Sequence, residues 1–226
     1  MEKMKHNIGI VIPAFNESRV IRDVVAACVQ YGIVIVIDDG STDNTFEMAK
    51  IPGAIVLKHP INMGVGFATV TGTIYAIESL NCDIIINIDA DGQHPPEIIP
   101  QFIQKIEEGY DFVFGSRMQN NEDMPLIKKI GNSVITYFNN LIFRTKLSDT
   151  QTGFRAFTQS AFRQMQMKSD GYSICSEFAC EVGRLKLKYC EIPIKAIYDD
   201  WTKIKGTNLF HGIRIMYDSV LIKVNR

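Results

Sequence analysis

The run Ile84-Ile85-Ile86-Asn87-Ile88 stops at Asp89 and is followed by Ala90-Asp91-Gly92-Gln93-His94-Pro95. A short, β-branched run of this kind reads as a strand buried on both faces of a parallel sheet, with helices covering it. Two earlier runs, Ile8–Ile12 and Ile33–Ile37, have the same character, and helical periods separate them. Such alternation builds an open, mostly parallel α/β sheet, which takes its ligands at the carboxyl edge of the strands. Side chains alternate along a strand, so Asp89 and Asp91 point the same way, and Gln93 follows if the extended geometry persists. Two carboxylates and an amide oxygen suit a hard cation, Mg²⁺ or Mn²⁺, better than zinc or copper. The same residues also read as an Asx-rich turn with Gly92 in the left-handed conformation.

The remaining pattern extends this scheme. Helices are expected over 17–30, from about 45, over 62–80, 95–108, 126–143, 173–187 and 208–224, with strands at 54–57 and 112–114 and an extended stretch at 191–197. Residues 118–125 read as an exposed loop over the ligand edge. The last helix carries Leu209, Ile213, Met216, Val220 and Val224 at helical spacing, a stripe for its own domain, a second copy or a membrane surface. A main domain over 1–206 with a C-terminal amphipathic helix at 207–226 is the expected division. With 226 residues and 46% hydrophobic content, the chain can bury one substantial core.

A formal charge of −1 offers nucleic acid no global attraction. Five cysteines lack any CxxC spacing, so they suggest neither a zinc site nor a disulfide framework. The apolar part of the N-terminus is short and meets Pro13 at once, unlike a signal peptide. No run approaches the ~18 apolar residues of a membrane span. A cytoplasmic chain, peripheral at the inner membrane face, is the expectation.

Four loops should meet at the carboxyl edge: 13–17, 38–43, 62–66 and 89–93. In Pro13-Ala14-Phe15-Asn16-Glu17, backbone atoms and the Phe15 ring could pack a planar base, or Asn16 could simply cap a helix. Asp38-Asp39 offers carboxylates to a base N–H or ribose hydroxyls, with capping by Ser41 or Asp43 as the plainer reading. Asn62-Met63-Gly64-Val65-Gly66 lets backbone approach a phosphate or sugar at a helix start.

Together VIPAFNES, VIDDGSTDNT, NMGVGFA, DADGQHPPE, FVFGSR and DTQTGFRAF occur in the order and spacing of inverting family 2 glycosyltransferases, which the chain resembles over roughly residues 8–206. The resemblance is strongest to polyprenyl-phosphate sugar transferases of the dolichyl-phosphate mannose synthase type. It implies a GT-A fold, with a Rossmann-like sheet flanked by helices, and a GDP- or UDP-hexose donor. It further implies that Pro13, Ala14, Phe15, Glu17, Ile37 and Asp39 hold the nucleoside. Asp89 and Ala90 would then lie beside ribose and diphosphate, and Asp89, Asp91 and Gln93 would hold the metal.

For the acceptor, Arg117 and Arg155 could each grip a phosphate bidentately, with Lys128, Lys129, Lys203 and Lys205 adding charge. Arg155 could equally pair with a structural carboxylate. Glu177 resembles the acidic residue that relatives place near the acceptor, or serves as a first-turn helix carboxylate. A polyprenyl phosphate needs no strong base, whereas a saccharide hydroxyl would need one, with Glu177 or Asp149 the candidates. A silent nucleotide-sugar-binding subunit of a membrane complex is the reading from another class. Two departures stand out: residues 198–206 lack the Arg and Gly-x-Ser-Lys pattern frequent in relatives, and the sequence ends without the transmembrane helices many of them carry.

Overall fold

The computed structural model describes residues 6–118, 124–168, 171–197 and 209–224. Seven strands form one sheet: β1 (Ile8–Ala14), β2 (Ile33–Asp38), β3 (Ala54–Lys58), β4 (Ile84–Asn87), β5 (Phe112–Ser116), β6 (Arg155–Thr158) and β7 (Tyr189–Pro193). Their order is β3-β2-β1-β4-β6-β5-β7, and β6 alone runs antiparallel to its neighbours. The chain winds outward from β1 through β2 to β3, then crosses back so that β4 pairs with the other side of β1. That reversal opens a crevice above the carboxyl ends of β1 and β4.

Helices cover both faces. On one lie α1 (Ile21–Cys28) and α4 (Ile99–Glu107), which enters from a 3-10 turn at Pro96–Ile98 and buries Ile99, Phe102 and Ile106. On the other lie α3 (Val65–Glu78) and α7 (Ile174–Leu185). The inner face of α3 is made of small residues because the helix lies almost on the strands: a Cβ at Gly72 would overlap Val11 Cγ1. The short α2 (Thr45–Ala49) and α6 (Gln159–Phe162), the long α5 (Leu126–Phe143) and the last helix, α8 (Leu209–Val224), complete the set.

Several expected boundaries move. Helix α1 starts at Ile21 rather than Glu17, because Glu17–Val20 are spent on a turn in which the Val20 and Ile21 amides donate to Glu17 O. The segment Arg155–Thr158, read as motif, is a strand, and β7 begins before Glu191. Helix α8 packs on α5 and α7 of its own domain. It does so through Ile215 and Ser219, whereas Ile213, Val220 and Val224 of the expected stripe face solvent. The five cysteines are all free, and burial pushes the Cys28 thiol up to about 12. No helix among the described residues is long and apolar enough to cross a membrane.

Candidate active site

The loops after β1 and β2 are stitched into one rim. Asn16, at φ 55°, donates its amide to Ser41 Oγ (3.0 Å), and its own Oδ1 accepts from Thr42 N (2.9 Å). Glu17 N donates to Thr45 Oγ1 (2.7 Å) and Ser18 N to Asp43 Oδ2 (3.2 Å). Asn16 is therefore a tie between loops and not the cap of α1. Asp43 accepts from Thr45 N at the start of α2, and its hydrogen bonds hold it at about 2 even against desolvation.

Asp39 is buried, and its carboxylate is engaged on every side. Oδ1 accepts from Met63 N (2.9 Å) and His59 Nδ1 (2.7 Å), and Oδ2 accepts from Gly64 N (2.8 Å). Its amide donates to Ala14 O (2.8 Å). Asp39 thus fixes the Asn62–Gly64 turn, which enters α3 with Gly64 at φ 96°, against the end of β1. Pro13 and Ala14 are buried in β1 and Ile37 in the core, so these three can offer a nucleoside only backbone; Phe15 and Asn62 are exposed at the rim.

Beyond β4, Asp89 stands at the crevice with its side chain 39% exposed. His94 Nε2, almost fully buried and packed on the Phe154 ring, donates to Asp89 Oδ2 at 3.0 Å. From the other side Gly153 lies so close that a Cβ there would overlap both carboxylate oxygens. Burial pushes the Asp89 pKa up, but the His94 hydrogen bond and charge, with Arg155 and Arg117 behind them, hold it below the usual carboxylate range. Asp91 Oδ1 accepts from Gln93 N (3.0 Å), the Asx turn that the residues also suggested, and Gly92 is left-handed at φ 75°. Ala90 is buried between the two.

Strand β6 runs backward, so its amino end arrives at the same edge and brings the preceding Asp149–Phe154 loop with it. Arg117 grips the fully buried Asp149 through Nε (2.7 Å) and Nη2 (3.0 Å), while its amide adds a third bond (3.2 Å). Burial raises the Asp149 pKa, but the Arg117 charge and hydrogen bonds bring it below the ordinary range. Arg155 is buried, with Nε on Gly153 O (3.3 Å), Nη2 on Cys175 Sγ (3.6 Å) and its guanidinium over the Phe178 ring. No carboxylate lies within ion-pair distance of it among the described residues. Glu177, 1% exposed, accepts Lys168 N with both oxygens at 3.0 Å. Lys128, in the first turn of α5, has its pKa lowered by burial, a shift opposed by Asp91 and assisted by Arg117. Lys203 and Lys205, like all of 198–206, lie outside the described residues.

Two groups escaped sequence reasoning although they adjoin the motifs: His94 and Tyr172. The Tyr172 hydroxyl pKa is raised first by partial desolvation and then by the charges of Asp89, Asp91 and Glu17. Among the described residues no three His, Cys, Asp or Glu side chains converge as a metal cage. Two carboxylates and an amide fit a hard cation that keeps most of its coordination for water and phosphate oxygens, as Mg²⁺ does in nucleotide sites.

The sequence matches the profile described as "Glycosyl transferase family 2" over residues 9–166. It is 36% identical to the UDP-N-acetylglucosamine–dolichyl-phosphate N-acetylglucosaminyltransferase of Methanococcus voltae, covering 97% of each chain. It is 30% identical to an undecaprenyl-phosphate 4-deoxy-4-formamido-L-arabinose transferase of Edwardsiella ictaluri, over 94% of this chain and 66% of that one. The fold is similar to that of glucosyl-3-phosphoglycerate synthase from Mycobacterium tuberculosis, crystallised with Mn²⁺, UDP-glucose and phosphoglyceric acid. That likeness has a TM-score of 0.74 at 18% identity and covers 98% of this chain and 79% of the other.

Proposed function

Because the chain belongs to glycosyl transferase family 2, we propose that it moves a hexose from a UDP-sugar to a polyprenyl phosphate, with inversion and with a divalent cation. The observation that carries this reading is Asp89, kept ionised and half open at the β1/β4 crevice beside Asp91. Asp89, Asp91 and Gln93 would hold Mg²⁺ or Mn²⁺, and the cation would neutralise charge growing on the departing diphosphate. The rim formed by Pro13–Glu17, Asp39 and Asn62 would receive the nucleoside. One acceptor phosphate oxygen attacks the anomeric carbon as the bond from that carbon to the nucleotide's β-phosphate oxygen breaks, and the bonding pair leaves with UDP.

The choice of acceptor rests on protons. A phosphate monoester has a second pKa of roughly 6 and attacks without a strong base. A hydroxyl would need one, yet Asp149 and Glu177 are both buried and already engaged. Both are better read as positioning residues: Asp149 fixes the plane of Arg117, and Glu177 holds the chain at Lys168. Arg155 and Lys128 would give the acceptor side its positive charge, while the charge of Arg117 is balanced by Asp149. Titration of nucleoside diphosphates with Mn²⁺ tests the donor half: UDP should bind tightest, and Asp91→Asn should abolish the metal-dependent part. Equal affinity for UDP with and without EDTA would refute the metal assignment.

A further inference from the structure

Glu191, on the edge strand β7, is a carboxylate without a cation. It is half-buried, and no Lys, Arg or His nitrogen among the described residues lies within ion-pair distance of it. All of its bonds go to one short segment. Oε1 accepts from Ser148 N (2.8 Å), Ser148 Oγ (3.0 Å) and Asp149 N (3.2 Å), and Oε2 accepts again from Ser148 N (3.0 Å). That segment ends in the fully buried Asp149, whose oxygens grip the Nε, Nη2 and amide of Arg117. Ser148 Oγ also meets Ser116 Oγ at the end of β5, next to Arg117.

Packing alone does not account for an acid at this place. Burial raises the Glu191 pKa, the donors of Ser148 and Asp149 oppose the rise, and the Asp149 charge adds to it. A half-buried carboxylate beside a second one, with no cation of its own, is disfavoured by desolvation and by repulsion. Arrangements that run against stability in this way gather where a side chain is held for a task. What the charge supplies is a firm grip, because hydrogen bonds to an ionised acceptor are roughly twice as strong as neutral ones. With its donors converging on Glu191, the backbone of Ser148 and Asp149 is held against rotation. A turn of that backbone would carry the Asp149 carboxylate off the Nε–Nη2 edge of Arg117.

We infer that Glu191 is a positioning residue for the acceptor: by fixing Ser148 and Asp149 it sets the plane in which Arg117 presents its guanidinium N–H groups to the acceptor phosphate. The inference rests on the polyprenyl-phosphate reading for that phosphate, whereas the link from Glu191 to Arg117 is independent of it.

Glu191→Gln keeps the shape of the side chain and removes its charge. In ¹⁵N NMR the Arg117 Nε–H signal, identified by its absence from Arg117→Lys, should exchange with water about tenfold faster in Glu191→Gln than in the parent. The KM for a short, water-soluble prenyl phosphate should rise roughly tenfold, the scale of one weakened hydrogen bond to a charged group. UDP–Mn²⁺ affinity and the thermal midpoint should hold. In an Arg117→Ala background, Glu191→Gln should add nothing, because the two residues act in series. An Arg117 signal indifferent to Glu191→Gln overturns the inference, and so does a joint loss of thermal midpoint and UDP affinity, which would make Glu191 a scaffold residue. A parent chain that makes no prenyl product, while its Arg117 signal still responds to Glu191→Gln, removes the acceptor reading and leaves the positioning of Arg117 standing.

Discussion

Asp89 is set by its neighbours more than by its place at a strand end. His94 holds one carboxylate oxygen and Gly153 leaves no room for the carboxylate to swing away. Groups that orient a ligand in this way typically change metal affinity ~10–100-fold when altered. Gly153→Ala should therefore weaken UDP-dependent Mn²⁺ binding by that factor, and His94→Ala by a similar one, as read by calorimetry. Unchanged Mn²⁺ affinity in Gly153→Ala would mean that Asp89 is not a ligand. Of these three residues only Asp89 was legible as a site residue. His94 sits inside DADGQHPPE but carries no spacing that distinguishes a partner of Asp89 from a loop histidine. The contact of Gly153 with Asp89 exists only once β6 has brought residues 64 positions apart together. Arg117 and Arg155 were legible as cations near the edge, but not that one is spent on Asp149 and the other buried over Phe178.

Secondary structure assembles the site through two devices. The first is the tie between β2 and the start of α3, in which Asp39 serves two backbone amides and His59. Asp39→Ala should cost about 1–3 kcal/mol of stability for each stranded buried donor as well as nucleotide affinity. Urea unfolding beside UDP titration checks both, and lost affinity at unchanged stability would make Asp39 a direct ligand only. The second device is the reversed β6, which carries Asp149 to Arg117. An unfolded Asp titrates near ~3.9, and the native pKa is lower. The pair therefore stabilises fully above that range, and the gain is lost as pH falls through ~3.9 toward the native value. Asp149→Asn should cost about 3–5 kcal/mol at pH 7, because the buried ion pair with Arg117 is broken. The gap from the parent protein should narrow as the pH drops from about 5 to about 3. A gap constant over that range would contradict an ionised pair. Strand direction is the part of this that local pattern does not encode. Arg155–Thr158 is four residues long, and nothing in their order says which way they run.

Across the whole molecule, the parallel half, β1 to β4 with the helices between, was plain because each strand is built on a short apolar run and turn residues separate it from the next helix. Past Arg117 the reading weakened because position there depends on buried polar contacts, such as Asn139 with Thr150 and Ser176, that leave no periodic trace. Helix α8 shows a different failure: it has two apolar faces, and periodicity alone chose the outward one. What unites the molecule is a single sheet edge to which the loops after β1, β2 and β4 and the loop before β6 all come. The most direct test supplies UDP-N-acetylglucosamine or UDP-glucose with Mn²⁺ and follows sugar transfer to a polyprenyl phosphate beside an oligosaccharide acceptor. The expected product is an inverted, lipid-linked sugar phosphate that disappears in EDTA and in Asp91→Asn, with the oligosaccharide inert. Transfer to the oligosaccharide while polyprenyl phosphate stays unmodified, or a lipid product formed equally well in EDTA, would contradict it.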